Sequence, residues 1–143
     1  MNMEYKQPPT TFDEATRLES EAAFLVRKNM DNSRDKVERS QETFALLKRI
    51  KAFVEPGWYE HFKSKPTDLK RYLVTGVEEQ VNTGMCTVRY IADYGLYKGE
   101  PAHRELVGPD SFLRPVDRTL DDGTHYRGPR FRKIADPNEV HIG

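Results

Sequence analysis

From Arg71 to Glu79 apolar and polar positions alternate, with Tyr72, Val74 and Gly76 on one side and Leu73, Thr75 and Val77 on the other. Period two with β-branched residues predicts a strand. Asn82, Thr83 and Gly84 then supply a turn, with Gly84 available for the positive φ of a bulged hairpin. Met85–Tyr94 alternates again, its more apolar face carrying Cys86, Val88, Tyr90, Ala92 and Tyr94. Trp58–Lys63 lies upstream, before a Pro66-containing loop. Downstream come a short strand over Arg104–Val107, a Gly108-Pro109-Asp110 turn, and Phe112–Val116, which Pro115 confines to a sheet edge. Residues 57–118 therefore read as a small antiparallel β domain, an SH3-like barrel or curled sheet.

Upstream the period lengthens. Thr11 stands three residues before Glu14, a capping-box start, and Ala15, Leu18, Ala22 and Leu25 recur at steps of three and four. Asn29 to Ser33 are short polar residues that compete for backbone hydrogen bonds, so a break is predicted there, with Asn32 or Ser33 capping a second helix. That helix runs to about Val54, carries Val37, Phe44, Leu47, Ile50 and Val54 with Leu46 and Phe53 beside them, and is stopped by Pro56 and Gly57. The reading is α+β: a flexible N-terminus over 1–10, a helical hairpin over 11–56, the β domain over 57–118 and a basic C-terminal tail over 119–143. The Ala-rich seam of the first helix is expected to pair with a copy of itself, giving a homo-dimer or higher oligomer.

A chain of 143 residues, 36% hydrophobic and 32% charged, holds one modest core. No stretch reaches the length and hydropathy of a membrane span, and the first residues lack a secretory pattern, so a cytoplasmic protein is expected. The lone Cys86 sits in a strand pattern and reads as a small core residue. Twenty-three basic residues balance 23 acidic ones. The balance also holds within segments 1–56, 57–118 and 119–143, which disfavours a dedicated non-specific nucleic-acid binder.

The central stretch resembles a family of small bacterial and phage domains catalogued as domain of unknown function 1653. Its Tyr-x-His-Phe-Lys opening is matched by Tyr59, Glu60, His61, Phe62 and Lys63, and its Tyr-x-Val-x-Gly strand by Tyr72, Leu73, Val74, Thr75 and Gly76. Val88, Tyr90, Tyr94 and Gly95 resemble its next segment, and Arg104, Pro109 and Phe112 loosely echo its closing Arg-Pro-Phe. The resemblance spans the β domain only, implies a small β-barrel and brings no activity with it.

Candidate chemistry is sparse. His61, His103, His125 and His141 share no ligand spacing, so no metal site is expected. Nucleotide-hydrolysis and nucleophile motifs are missing from the sequence, and Glu78 and Glu79 point to opposite faces of a strand. A non-enzymatic protein without a cofactor is expected. Aromatic and cationic residues interleave, however, in Trp58, Tyr59, His61 and Lys63, then Arg89, Tyr94, Tyr97, Lys98 and Arg104, and finally Arg127 and Arg130 around Phe131. Rings stack on bases while cations hold phosphate, so these residues are candidates for binding a nucleotide or another anionic small ligand. Sequestration of a nucleotide signal, as by a phage protein acting against host defence, is one such role. The same aromatics equally suit a barrel core. A protein-interaction adaptor built on the helical hairpin and a nucleic-acid-binding barrel stay open as alternatives.

Overall fold

A computed structural model describes residues 4–33 and 41–138. The fold is α+β: helices α1 (Phe12–Ser33) and α2 (Gln41–Lys51) precede strands β1 (Gly57–His61), β2 (Arg71–Glu79), β3 (Cys86–Ala92), β4 (Pro101–Glu105), β5 (Val116–Thr119), β6 (His125–Gly128) and β7 (Phe131–Ala135). Thr11 starts α1, its hydroxyl oxygen accepting from the Glu14 amide at 3.1 Å. The Glu14 carboxylate accepts from the Thr10 and Thr11 hydroxyls, at 2.9 and 3.0 Å. These bonds hold its pKa below the usual carboxylate value.

Helix α1 does not break at Asn29. That side chain is fully buried, and its amide donates to Gly84 O at 2.9 Å and to the Glu79 carboxylate at 2.5 Å. Tertiary partners thus take up the polar groups that would otherwise compete with the helix. The predicted start of the second helix, with Val37, lies outside the described residues. Within α2, Leu46 and Ile50 are buried and Phe44 is 58% exposed, so Phe44 leaves the predicted apolar face.

The first-helix seam is not a free surface. Ala15, Ala22 and Leu25 are 2%, 0% and 7% exposed inside this single chain, where Ala22 and Leu25 join Val26, Leu46, Ile50 and Phe53 in the core. The seam expected to recruit a second copy is filled by the chain's own residues. Fully burying a side chain such as Leu25, Val26 or Ile50 contributes about 1.5–3 kcal/mol, and an alanine methyl about 0.8 kcal/mol.

Five strands form one open antiparallel sheet in the order β4-β3-β2-β1-β7, and β5 and β6 pair separately. The β2–β3 hairpin follows the predicted turn, with Gly84 at φ 77° and a register shift between Val74 and Gly76. Phe112–Val116 is not a strand: its ladder begins only at Val116, and Phe112 and Leu113 insert into the core from the loop. Residues 119–143 are not simply a tail. They contain β6 and β7, and β7 adds to the sheet beside β1, with His61 opposite Phe131 and Glu60 opposite Arg132.

The two sheet faces differ. Helices and loop residues cover an inner face bearing Tyr59, Val74, Val88 and Phe131, whereas Trp58, Leu73, Ile91 and Pro101 stand in register on the outer face. The sheet curls so that Arg104, on edge strand β4, lies over the Phe131 ring of edge strand β7, 5.5 Å from its centroid. Phe112 stacks beneath Phe131 at 4.5 Å and 5°. At the His61 end of the inner face His61, Tyr72 and Tyr94 are part-exposed, while Phe62 and Phe131 are each 6% exposed.

Candidate anion-binding face

His61 ends β1, and its side chain points to the inner face with Tyr72 and Phe131. Ring centroids lie 6.5 Å from Tyr72, 5.2 Å from Phe131 and 4.4 Å from Phe62. Tyr72 meets Tyr90 and Tyr94 edge-on at 5.0 and 5.4 Å, and its hydroxyl hydrogen-bonds that of Tyr94. Desolvation, followed by the bond to Tyr94, pushes the Tyr72 phenol well above its ordinary value. Aromatic packing of this kind follows from β-strand geometry, since cross-strand neighbours share a face.

Cations surround the rings. Phe62 is approached by three of them: Arg118 at 5.0 Å, Arg130 at 5.7 Å and Lys63 at 5.9 Å. Lys70 Nζ lies 4.8 Å over Tyr94 and 3.1 Å from Asp68. Arg104 donates to Asp110 O at 2.5 Å, and Arg130 stands 3.7 Å from the Asp110 carboxylate. The Nε atoms of Arg104 and Arg130 are buried without a hydrogen-bond partner. Burial, then repulsion from Arg104, lowers the Arg130 pKa.

Burial and the neighbouring Arg104, Arg130, Lys63 and Lys70 together push His61 down to about 3, so its imidazole is neutral at pH 7. The Lys63 amide donates to His61 Nδ1 at 3.1 Å, which places the remaining proton on Nε2. The site is thus electropositive and lined with rings, and it holds a neutral histidine with one donor. Beside it lies an open hollow of about 640 Å³ bordered by Lys63, Lys65, Lys70 and Arg118, with Asp68 and Asp121 at its rim. Lys65 is engaged by Asp122 at 2.8 Å. Among the described residues, no group of three or more His, Cys, Asp or Glu is placed to hold a metal.

Of the candidates named from sequence, His61, Lys63, Tyr94, Arg104 and Arg130 meet here. The others are placed elsewhere. Trp58 and Arg89 lie on the outer face, Arg89 paired with Glu78 at 3.0 Å. Tyr59 is 5% exposed and donates its hydroxyl to Glu55 O at 2.7 Å, with burial raising its pKa well above the ordinary value, so it is a core residue. Tyr97 and Lys98 belong to the β3–β4 loop, Tyr97 67% exposed and Lys98 3.6 Å from Asp93. Arg127 packs over Phe12 of α1 at 4.1 Å and pairs with Asp13 and Asp117. Phe62, Lys70 and Arg118 join the face without having been candidates. Phe62 stood in the Tyr-x-His-Phe-Lys motif, but nothing local marks Arg118, whose place depends on β5 folding back toward β1.

A second hollow, of about 870 Å³, opens between the helices over Phe24, Leu25, Ala52 and Phe53. Its floor is apolar, and of its rim charges Lys6 and Glu21 pair at 3.8 Å. It too brings rings and cations together, Phe24 and Phe53 with Lys6, Lys48 and Arg49, and Lys6 lies 5.5 Å over the Phe53 ring, but Glu4 and Glu21 stand among them. No family model, curated protein or solved structure matches the chain.

Proposed function

We propose that this chain is a non-catalytic binding module whose open inner sheet face takes a phosphate-bearing ligand such as a nucleotide. One observation carries the reading: Lys63, Arg118 and Arg130 converge on Phe62, beside a His61 that burial and then its cationic neighbours keep neutral. Rings accept a base or ribose by stacking, and ammonium and guanidinium groups hold phosphate oxygens. The approach of Arg104 to Phe131 across the two sheet edges supports an SH3-like curl, with the ligand lying across its mouth. In this reading the segment that resembles domain of unknown function 1653, Tyr59 to Lys63, contributes the histidine and one of the cations. Sequestration of a nucleotide signal, as in phage counter-defence, is a role such a module fits.

Thermal unfolding with AMP, ATP and inorganic phosphate tests the proposal. A ligand at about 100 times its Kd adds about 2.7 kcal/mol to stability, which a melting curve resolves. The ligand released by heat should be chemically unaltered. Conversion to product would replace the binding module with an enzyme, and unchanged melting with all three would reject the reading.

A second reading, an adaptor that docks a partner or a second copy on a helical hairpin, is favoured by Phe24 and Phe44, 65% and 58% exposed. Light scattering at micromolar concentration separates a 16.6 kDa monomer from a dimer. Loss of the dimer in Phe24→Glu with Phe44→Glu would place the contact on the helices.

A further inference from the structure

Resting on the phosphate-binding reading of this face, we propose that its ligand is a single-stranded nucleic acid. Bases stack along the Tyr94, Tyr72 and His61 rings, and backbone phosphates lie in the hollow between Lys63, Lys70 and Arg118. The rings form a continuous run. Tyr94 meets Tyr72 at 5.4 Å and Tyr72 meets His61 at 6.5 Å, all three rings part-exposed, whereas Phe62, 4.4 Å from His61, is 6% exposed and only seats the cations. A mononucleotide needs one flat apolar surface, whereas a strand needs successive ones, and sequence-tolerant binding follows because every base has a π-face.

Charge repeats along the same line. Lys70 stands at the Tyr94 end, and Lys63 and Arg118 stand at the Phe62 end. Lys70 is neutralised by Asp68, but among the described residues neither Lys63 nor Arg118 has an ion-pair partner, and both are exposed. The zero net charge of the chain does not oppose this, because most acids near the hollow already pair, Asp68 with Lys70, Asp122 with Lys65, and Asp117 with His125 and Arg127, which leaves Asp121 at the rim. The hollow is open to solvent. A duplex, with its bases turned inward, gives the rings nothing to stack on.

Fluorescence anisotropy with labelled oligothymidylate and oligouridylate tests this, at about 12 nucleotides to span the usual range of site sizes. AMP and a duplex of equal length serve as competitors. Both single strands should bind, and the tighter one identifies the preferred sugar. Each should compete better than AMP and better than the duplex. A single strand contributes a slope of about −0.7 in log K against log salt per phosphate neutralised. The two unpaired cations, Lys63 and Arg118, therefore give about −1.4, a roughly sevenfold loss between about 50 and 200 mM salt.

Lys63→Ala with Arg118→Ala, both at exposed positions, should bring the slope close to zero. Tyr94→Leu should weaken binding roughly tenfold while leaving the slope in place. Oligonucleotide affinity equal to that of AMP, or binding untouched by the double variant, would overturn the inference while the phosphate-binding reading stands. If neither AMP nor an oligonucleotide binds, both fall.

Discussion

Replacing Phe131 with alanine tests whether the C-terminal segment belongs to the core. The ring is 6% exposed, stacks on Phe112 at 4.5 Å, meets His61 and Tyr72 edge-on at 5.2 and 5.5 Å, and lies under Arg104. Truncating a buried phenylalanine costs about 3–5 kcal/mol, and ring pairs contribute about 0.5–1.5 kcal/mol each beyond the area they bury. Against a domain stability of about 5–15 kcal/mol the variant is strongly weakened but measurable. Phe131→Leu keeps most of the apolar volume and loses the ring contacts, so about 1–2 kcal/mol is expected. Urea unfolding followed by far-UV circular dichroism gives both values, provided the denaturant slope is unchanged. A loss below about 1 kcal/mol for Phe131→Ala would refute the reasoning, because such a ring could not be joining the two sheet edges.

Three further perturbations follow. An unfolded histidine titrates near 6.5, and folded His61 is pushed down to about 3. The unfolded chain therefore binds the extra proton, and the stability contributed by neutral His61 is complete above about pH 6.5 and is lost as pH falls toward 3. Urea midpoints at several pH values should show this slope, and His61→Asn should flatten it. A Cβ at Gly57, where φ is +157°, would stand 2.6 Å from Ala135 O, so Gly57→Ala should cost about 1–3 kcal/mol by forcing β1 from β7; an unchanged melting temperature would contradict that contact. Leu25→Glu should unfold the chain by placing a charge in the core, whereas Phe24→Glu should change stability by less than about 0.5 kcal/mol; equal effects would mean that α1 is rotated from its assigned orientation.

The β2–β3 hairpin was legible because its determinants are local: alternation on both strands and a glycine with positive φ between them. Strand β2 has the bounds read from its pattern, Arg71–Glu79. Strand β7 was not legible. Lys133 takes an inward position and is 12% exposed, which breaks the apolar alternation, and it is tolerated because Glu55 and Asp136 pair with it at 3.2 and 2.7 Å. Those partners, and the register with β1, come from distant folding. The helical seam was read correctly as apolar and wrongly as unpartnered, since periodicity shows which residues share a face and not what covers it.

At the site, the Tyr59–Lys63 segment was conspicuous and three of its residues, His61, Phe62 and Lys63, belong to the face. Strand alternation sends Tyr59 inward under the loop and Trp58 to the outer side, which separates neighbours that looked equivalent in sequence. Lys70 and Arg118 come from loop and strand ends 48 positions apart and converge only through tertiary structure.

The measurement that most directly tests phosphate binding at this face is a titration of isotopically labelled protein with ATP, followed by amide and side-chain NMR shifts. The account predicts saturable shifts at His61, Tyr94, Arg104, Arg118 and Arg130, with the groove around Phe24 and Arg49 silent. Shifts confined to the helix groove, or none at millimolar ATP, would contradict it.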